Sequence, residues 1–377
     1  MLQMQFIDLH AQYQQLKARI DTRIHSVLDH GKYIMGPEVF EFEERLAEYI
    51  GVKHVISCGN GTDALQLSLM AMGIGPGDAV ITTPFTFFAT AEVIALVGAE
   101  PVFSDINEKT YNLCPLKLEE TIKNFQSDEG ITLKAVIAVD LFGLPANYSA
   151  IERICKRYGL TLIEDAAQGM GGKINDTNAG SFGDIATTSF FPAKPLGCYG
   201  DGGAVLTDDD DIADVIKSLR VHGKGIDKYD NVRIGMNSRL DTLQAAILLE
   251  KLVVFDDEIE CRNNVANQYA AALCGVSIPF VPDDYRSSWA QYTVMSSNEN
   301  ERKGFMSNLR DAGIPSAIYY GTPLHQQTAF NKEPEFRGNV DLGALNISEN
   351  ISKRVFSLPM HPYLSETEIH KIVENLK

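Results

Sequence analysis

Between residues 54 and 207, short apolar runs alternate with stretches of helical period, and this alternation restricts the fold more than any other feature. The runs fall at 54–57, 79–82, 101–104, 134–139, 161–164, 184–189 and 204–207, and helix-like stretches at 63–72, 90–97, 116–124 and 150–158 separate many of them. Runs that are apolar throughout, rather than alternately polar, belong to strands covered on both faces. Strands alternating with helices predict an α/β fold, with a mainly parallel central sheet and helices on both faces. Ligands in such sheets sit beyond the carboxyl ends of the strands, so the residues following each run are the candidates for function.

Two helices are expected ahead of the sheet. Leu9, Tyr13, Leu16, Ile20, Ile24, Val27 and Leu28 keep a helical period; Gly31 and Gly36-Pro37 break it; Val39, Phe42, Leu46, Tyr49 and Ile50 resume it. After about residue 240 the alternation stops. Residues 240–274 read as helical, 289–295 and 317–320 as strand-like, and 302–312 and 366–376 as helical. A large α/β domain over 1–245, N-terminal helices included, and a smaller α+β domain over 246–377 are expected. The polar stretch 332–341 reads as an exposed loop.

The net charge is −17 and no basic tract is present, which argues against nucleic acid or an anionic membrane surface as a partner. No apolar run reaches the length of a membrane span, and the N-terminus lacks a signal pattern. Six scattered cysteines show neither CxxC nor zinc spacing. They read as reduced thiols of a cytoplasmic protein, with no metal site.

One lysine stands out. Lys194 lies in TSFFPAKPLGCYGDGG, between a strand-like run and a glycine-rich turn. A lysine in apolar surroundings is masked, paired, or used as a neutral amine in Schiff-base chemistry. A snorkelling surface lysine is the other reading.

Its neighbours narrow the choice. The first run ends in SCGNGTDAL, where Gly59 and Gly61 permit a tight turn and Thr62 is placed to cap a helix. Free amides at such a helix start favour a phosphate, although many helices begin this way. Phe85, Phe87 and Phe88 follow the second run, and one of them could stack on a planar ring while the others pack in the core. Glu164 and Asp165 end a buried run. Asp165 could pair with a protonated ring nitrogen, and Gln168 with a ring oxygen; an ion pair or a helix cap would also account for them. Ser189 precedes Lys194 and could donate to a phosphate.

With these residues in view, the chain resembles the DegT/DnrJ/EryC1/StrS family of fold-type I, pyridoxal 5'-phosphate-dependent sugar aminotransferases. The likeness runs from FIDLHAQY through YIMGPEVFEFE, NGTDAL, GPGDAVITTPFTFFATAEVI, IEDAAQ, SFFPAKPLGCYGDGGA, VRIGMNSRLDTLQAAIL and IYYGTPLHQQ to SLPMHPYL. Within the family it is most similar to the enzymes that aminate UDP-2-acetamido-2-deoxy-3-oxo-glucuronate with L-glutamate, for surface polysaccharide.

The resemblance implies roles. Lys194 would hold the cofactor as a Schiff base and shuttle the proton. Asp165 would pair with the pyridinium, Gln168 touch the phenolic oxygen, and Phe87 stack on the ring. Gly61, Thr62 and Ser189 would bind the phosphate. Asn237 would reach the phosphate of a neighbouring subunit, implying a homodimer, with Arg239 near that interface meeting the uronate carboxylate. Tyr320 and His325 would line the sugar pocket. The glycines after Lys194 read as room for cofactor and sugar. Lys194 itself excludes the family's dehydratases, which carry histidine there. Two readings stay beside the main one: another 3-keto or 4-keto UDP- or dTDP-sugar as acceptor, and a cofactor-binding regulator without catalysis.

Overall fold

The computed structural model describes residues 4–125, 130–227, 229–332 and 344–377. α1 (Leu9–His30) starts at Asp8, whose carboxylate accepts the Ala11 N–H at 2.8 Å, and stops at left-handed Gly31. α2 (Pro37–Ile50) has proline in its first turn, where no N–H is needed, and stops at left-handed Gly51.

The alternation then unfolds as the sequence predicts. In chain order come β1 (His54–Cys58), α3 (Gly61–Ala71), β2 (Asp78–Thr82), α4 (Ala89–Leu96), β3 (Glu100–Phe103), α5 (Pro115–Asn124), β4 (Thr132–Val139), α6 (Tyr148–Tyr158), β5 (Thr161–Asp165), the two-residue strands β6 (Lys173–Ile174) and β7 (Thr177–Asn178), β8 (Ile185–Ser189), β9 (Gly203–Thr207) and α7 (Asp210–Leu219). Seven of these strands form one sheet in the order β1-β9-β8-β5-β4-β2-β3. It is mainly parallel; β9 alone runs the other way, antiparallel to both β1 and β8.

The sheet is apolar on both sides, which is why its strands read as unbroken apolar runs. Val136 and Ala138 of β4 pack with Leu118, Ile151 and Cys155 of α5 and α6. Ala135 and Ile137 point to the other face, against Leu65, Leu69 and Ile216 of α3 and α7. Each fully buried Leu or Ile contributes about 1.5–3 kcal/mol.

The register brings the strand ends together. Val139 stands opposite Asp165, and Asp165 opposite Thr187. Ser189 and Cys58 both stand opposite Gly203, on its two sides. The loops after β1, β5 and β8 therefore open at one edge.

Beyond the sheet the helical stretch is two helices, α8 (Thr242–Leu252) and α9 (Phe255–Ala272), broken at Val253–Val254. Leu248 and Leu249 of α8 pack with Phe42 and Leu46 of α2 and with Leu206 of β9. A domain change after residue 245 would cut this helix out of the core it completes. Phe255 and Ile259 share that same cluster, whereas Val265, Ala266 and Tyr269 join the C-terminal one. We propose the division to lie within α9.

The C-terminal part holds β10 (Tyr285–Arg286), which pairs with β6, then β11 (Tyr292–Met295), α10 (Glu299–Asp311), α11 (Thr328–Lys332), α12 (Asn346–Ser352), β12 (Val355–Leu358) and α13 (Glu366–Glu374). β11 and β12 form an antiparallel pair. Two strand expectations change. The run at 289–295 begins its strand only at Tyr292, because Trp289 sits in the left-handed region. Residues 317–320 form no strand: Ala317 bridges Ser357, and the chain then turns with a cis Tyr319–Tyr320 peptide. Ile318, Tyr319 and Tyr320 line the cavity described below instead of pairing with a neighbouring strand. Of the expected loop at 332–341, Lys332 ends α11 and the rest lies outside the described residues.

Candidate active site

A cavity of about 1030 Å³ opens where the ends of β1, β5 and β8 converge. Lys194 reaches it from the connection between β8 and β9. That connection is held by backbone bonds from Phe190 N–H to Gly202 O (2.7 Å), Lys194 N–H to Phe191 O (2.9 Å) and Cys198 N–H to Phe190 O (2.8 Å). The buried Lys251 on α8 adds a bond from Nζ to Gly197 O at 2.5 Å. The Lys194 ammonium has no hydrogen-bond partner among the described residues. Burial lowers its pKa to about 8, against the opposing pull of Asp165.

The glycines of this stretch serve a purpose other than the expected one. A Cβ on Gly203 would lie 2.4 Å from the Asn60 backbone, and one on Gly197 2.6 Å from Phe191 O. They let the connection pack against the protein's own backbone; they do not clear room for a ligand.

Asp165 ends β5 and is buried. Its Oδ2 accepts from Thr90 Oγ1 at 2.9 Å and its Oδ1 from Ala167 N–H at 3.2 Å. Burial raises its pKa, while the two donors and Lys194 oppose that rise. Gln168 is fixed at both ends: Oε1 accepts Phe142 N–H at 2.7 Å, and Nε2 donates to Tyr320 Oη at 3.2 Å. Tyr320 in turn packs edge-on against Phe85.

The third corner is the start of α3. Asn60, not the expected Thr62, is the cap: its Oδ1 accepts Asp63 N–H at 2.8 Å. Gly61 and Thr62 occupy the first turn, where N–H groups have no intrahelical acceptor. A Cβ on Gly61 would lie 2.7 Å from Ser189 Cβ, so only glycine lets the hydroxyl of Ser189 sit beside these amides. Of the three phenylalanines, Phe85 is fully buried, Phe88 leans on Phe330, and Phe87 is 56% exposed on the cavity wall.

Lys194, Asp165, Gln168, Gly61, Thr62, Phe87, Ser189 and Tyr320 thus line one cavity, and Tyr319 joins them. His325 is not on its wall; its Nε2 bonds Glu349 at 3.0 Å. Asn237 and Arg239 are also off the wall. They flank Ser238, whose Oγ accepts Gly59 N–H at 2.9 Å and donates to Asp63 Oδ2 at 2.6 Å. Asn237 is exposed in the single chain.

Thr90 and Asp201 also line the cavity without having been singled out for it. Thr90 had a signal: it is a hydroxyl inside ATAEVIAL, an otherwise apolar helix face. Among the described residues no cluster of His, Cys, Asp and Glu could hold a metal, and no helix is long and apolar enough to cross a membrane.

Comparison with known proteins follows the same lines. Residues 14–377 match the DegT/DnrJ/EryC1/StrS aminotransferase family. The chain is 46% identical over 367 residues to the UDP-2-acetamido-2-deoxy-3-oxo-D-glucuronate aminotransferase of Pseudomonas aeruginosa, covering 97% of each chain. It is 52% identical to a DegT DnrJ EryC1 StrS aminotransferase from Brucella abortus of known structure, with a TM-score of 0.95 over 99% of this chain and 98% of that one. A Bacillus subtilis protein solved with bound cofactor PMP is 28% identical, with a TM-score of 0.88 over 100% of this chain and 85% of that one.

Proposed function

We propose, from the premise that this chain belongs to the DegT/DnrJ/EryC1/StrS aminotransferase family, that it uses pyridoxal 5'-phosphate to move an amino group from L-glutamate to a keto nucleotide sugar. The acceptor we infer is UDP-2-acetamido-2-deoxy-3-oxo-glucuronate or a close 3-keto analogue, and the amino sugar product serves surface-polysaccharide synthesis in the cytoplasm. The family supplies the reaction class, sugar amination. The observation that carries the cofactor reading is the pairing of Lys194 and Asp165 across one cavity, each acting on the charge of the other.

The residues present fit the cofactor. The α3 start and Ser189 form a cradle that a Cβ at Gly61 would fill, suited to a phosphate. Phe87 offers an exposed ring face, Asp165 a buried carboxylate, Gln168 a fixed amide, and Lys194 a free amine. When bound, pyridoxal phosphate supplies the carbonyl that receives the amino group and the ring that takes up the electrons of the substrate carbanion.

The chain's own residues do the rest. Lys194 Nζ, with its pKa lowered to about 8 by burial, gives up its proton far more readily than an ordinary lysine and is partly neutral near physiological pH. It can then take the proton from the donor's α-carbon and hand it back on the other side of the reaction. Asp165 would keep the ring nitrogen protonated, aimed by its bonds from Thr90 and Ala167. Gln168, steadied by its bond to Tyr320, would meet the phenolic oxygen of the ring.

Lys194 is the one basic side chain among the described residues on the cavity wall. Glutamate, a uronate and a diphosphate are all anions, and they need further cations. This supports a homodimer in which Arg239 and Asn237 of a second copy complete the site.

The test is to incubate the purified, cofactor-loaded protein with glutamate. The visible band of the lysine-bound cofactor should disappear as 2-oxoglutarate forms. The 3-keto and 4-keto UDP- and dTDP-sugars, added in turn, should restore it, most rapidly with the 3-keto uronate. A band that glutamate leaves untouched overturns the reaction; restoration by a 4-keto sugar alone overturns the acceptor.

A further inference from the structure

A second buried lysine, Lys251 of α8, takes no part in the reaction proposed above. Only 2% of it is exposed. Its ammonium has no carboxylate partner among the described residues. Glu258 on α9, the carboxylate whose charge acts on it, is taken up by Gln12 Nε2, at 2.9 and 2.8 Å, and by Tyr363 Oη. The ammonium instead donates to Gly197 O at 2.5 Å and lies over the Tyr199 ring, 4.1 Å from its centroid. Burial lowers its pKa to about 8, against the pull of Glu258. A charge held dry in this way is costly, and an apolar side chain of similar length would fill the space without that cost. What the lysine adds is a directed bond.

Gln244, Leu248 and Lys251 are spaced by four and then three residues, so they share one face of α8. All three meet the connection between β8 and β9. Gln244 Oε1 accepts Tyr199 N–H at 2.9 Å, Leu248 packs in one cluster with Leu196 and Cys198, and Lys251 takes Gly197 O. The last of these reaches furthest toward Lys194. Gly197 lies so close to the preceding turn that a Cβ on it would stand 2.6 Å from both Phe191 O and Pro192 O. Phe191 O is the acceptor of Lys194 N–H, at 2.9 Å. Two contacts therefore join the ammonium of one lysine to the backbone of the other. The helix that makes them is itself anchored: Glu250, the residue before Lys251, accepts from Arg19 Nε at 2.7 Å and Arg23 Nε at 2.6 Å on α1.

We propose that Lys251 is a positioning residue for Lys194: through Gly197 O it fixes the turn at 191–194, and with it the direction from which the Lys194 amine meets the carbonyl of the cofactor. The role rests on the function proposed above. No other side chain among the described residues donates to a carbonyl of residues 191–197. Without Lys251 that turn would be held by its own backbone bonds and by apolar packing, which leave its distance from α8 free to vary.

Two forms of the cofactor separate this role from a general effect on the fold. Pyridoxal phosphate bonds to a lysine through its aldehyde; pyridoxamine phosphate has an amine there and must bind without that bond. Lys251→Met keeps the apolar stem and removes the bond to Gly197 O. It should slow growth of the visible band of the lysine-bound cofactor about tenfold and weaken pyridoxal phosphate by a similar factor, with the affinity for pyridoxamine phosphate within about twofold of the parent. In Lys194→Ala, where no lysine bond can form, adding Lys251→Met should change neither affinity. Equal loss of both cofactor forms, which a loosened or partly unfolded chain would give, overturns the proposal. So does an effect that persists in Lys194→Ala. A parent that never develops the band overturns the function proposed above, and the role of Lys251 falls with it; a parent that develops it and a Lys251→Met that matches it overturn the role of Lys251 alone.

Discussion

Thr90 Oγ1 donates a hydrogen bond to Asp165 Oδ2 at 2.9 Å, from the first turn of α4 to the end of β5. Both residues are buried, so this bond, the Ala167 N–H and the charge of Lys194 are what oppose the rise in pKa that burial imposes on Asp165. Removing the hydroxyl without changing the volume isolates its contribution. Thr90→Val should weaken cofactor binding and lower kcat by about tenfold each, with KM for the keto sugar little changed; a hydrogen bond to a charged group contributes about 1.5–3 kcal/mol. Thr90→Ser should restore both. Equilibrium titration and steady-state kinetics measure the two quantities.

The pKa of Lys194 predicts a pH dependence with a definite sign. Burial lowers it from 10.5 to about 8, so folding is penalised wherever the unfolded lysine is charged and the folded one resists charging. Apo Lys194→Met should melt at a higher temperature than the apo parent at pH 7. The gap should close as the pH rises through about 8 toward 10.5. Thermal denaturation across that range checks it, and a gap that widens with pH contradicts it. In the parent, the rate of cofactor capture should climb with pH and level off above about 8, because only the neutral amine attacks an aldehyde.

Gly61 is required by contact, not by backbone angle. A Cβ there would lie 2.7 Å from Ser189 Cβ and 3.3 Å from its Cα. Gly61→Ala must push β8 and α3 apart at the phosphate corner, at a cost of about 1–3 kcal/mol. The expected readout is cofactor affinity reduced at least as much as overall stability, together with loss of protection of the apoprotein by inorganic phosphate.

A buried ion pair steadies the same corner from behind. Arg220 Nη1 bonds Glu43 Oε1 at 2.5 Å and Ser57 O at 2.7 Å, joining α2 and the end of α7 to β1. Arg220→Met should destabilise the protein by about 3–5 kcal/mol, because it strands Glu43. Adding Glu43→Gln should recover part of that loss in thermal melts. Full additivity of the two substitutions would contradict the coupling.

The sequence made the sheet legible because strands apolar on both faces leave a signal that no nearby polar pattern obscures. Lys194 and Asp165 were legible for a related reason: a charge ending an apolar run is conspicuous. The cap of α3 is Asn60 where the sequence pointed to Thr62, a shift of two residues within the usual blur of helix ends. The turn at Ala317–Tyr320 escaped because its aromatics serve the cavity wall and not a strand neighbour.

The reversed direction of β9 bears on how such a site can diversify. Parallel neighbours must be joined by a chain that crosses back over a face of the sheet, where its length and apolar pattern are tied to the core. Because β9 returns beside β8, the connection from Phe190 to Gly202 stays wholly at the ligand end. Within it Phe190, Leu196 and Cys198 enter the core shared with α2 and α8, so variation falls to the positions that face the cavity, such as Phe191 and Ala193. One antiparallel strand separates the inheritance of the scaffold from the inheritance of specificity.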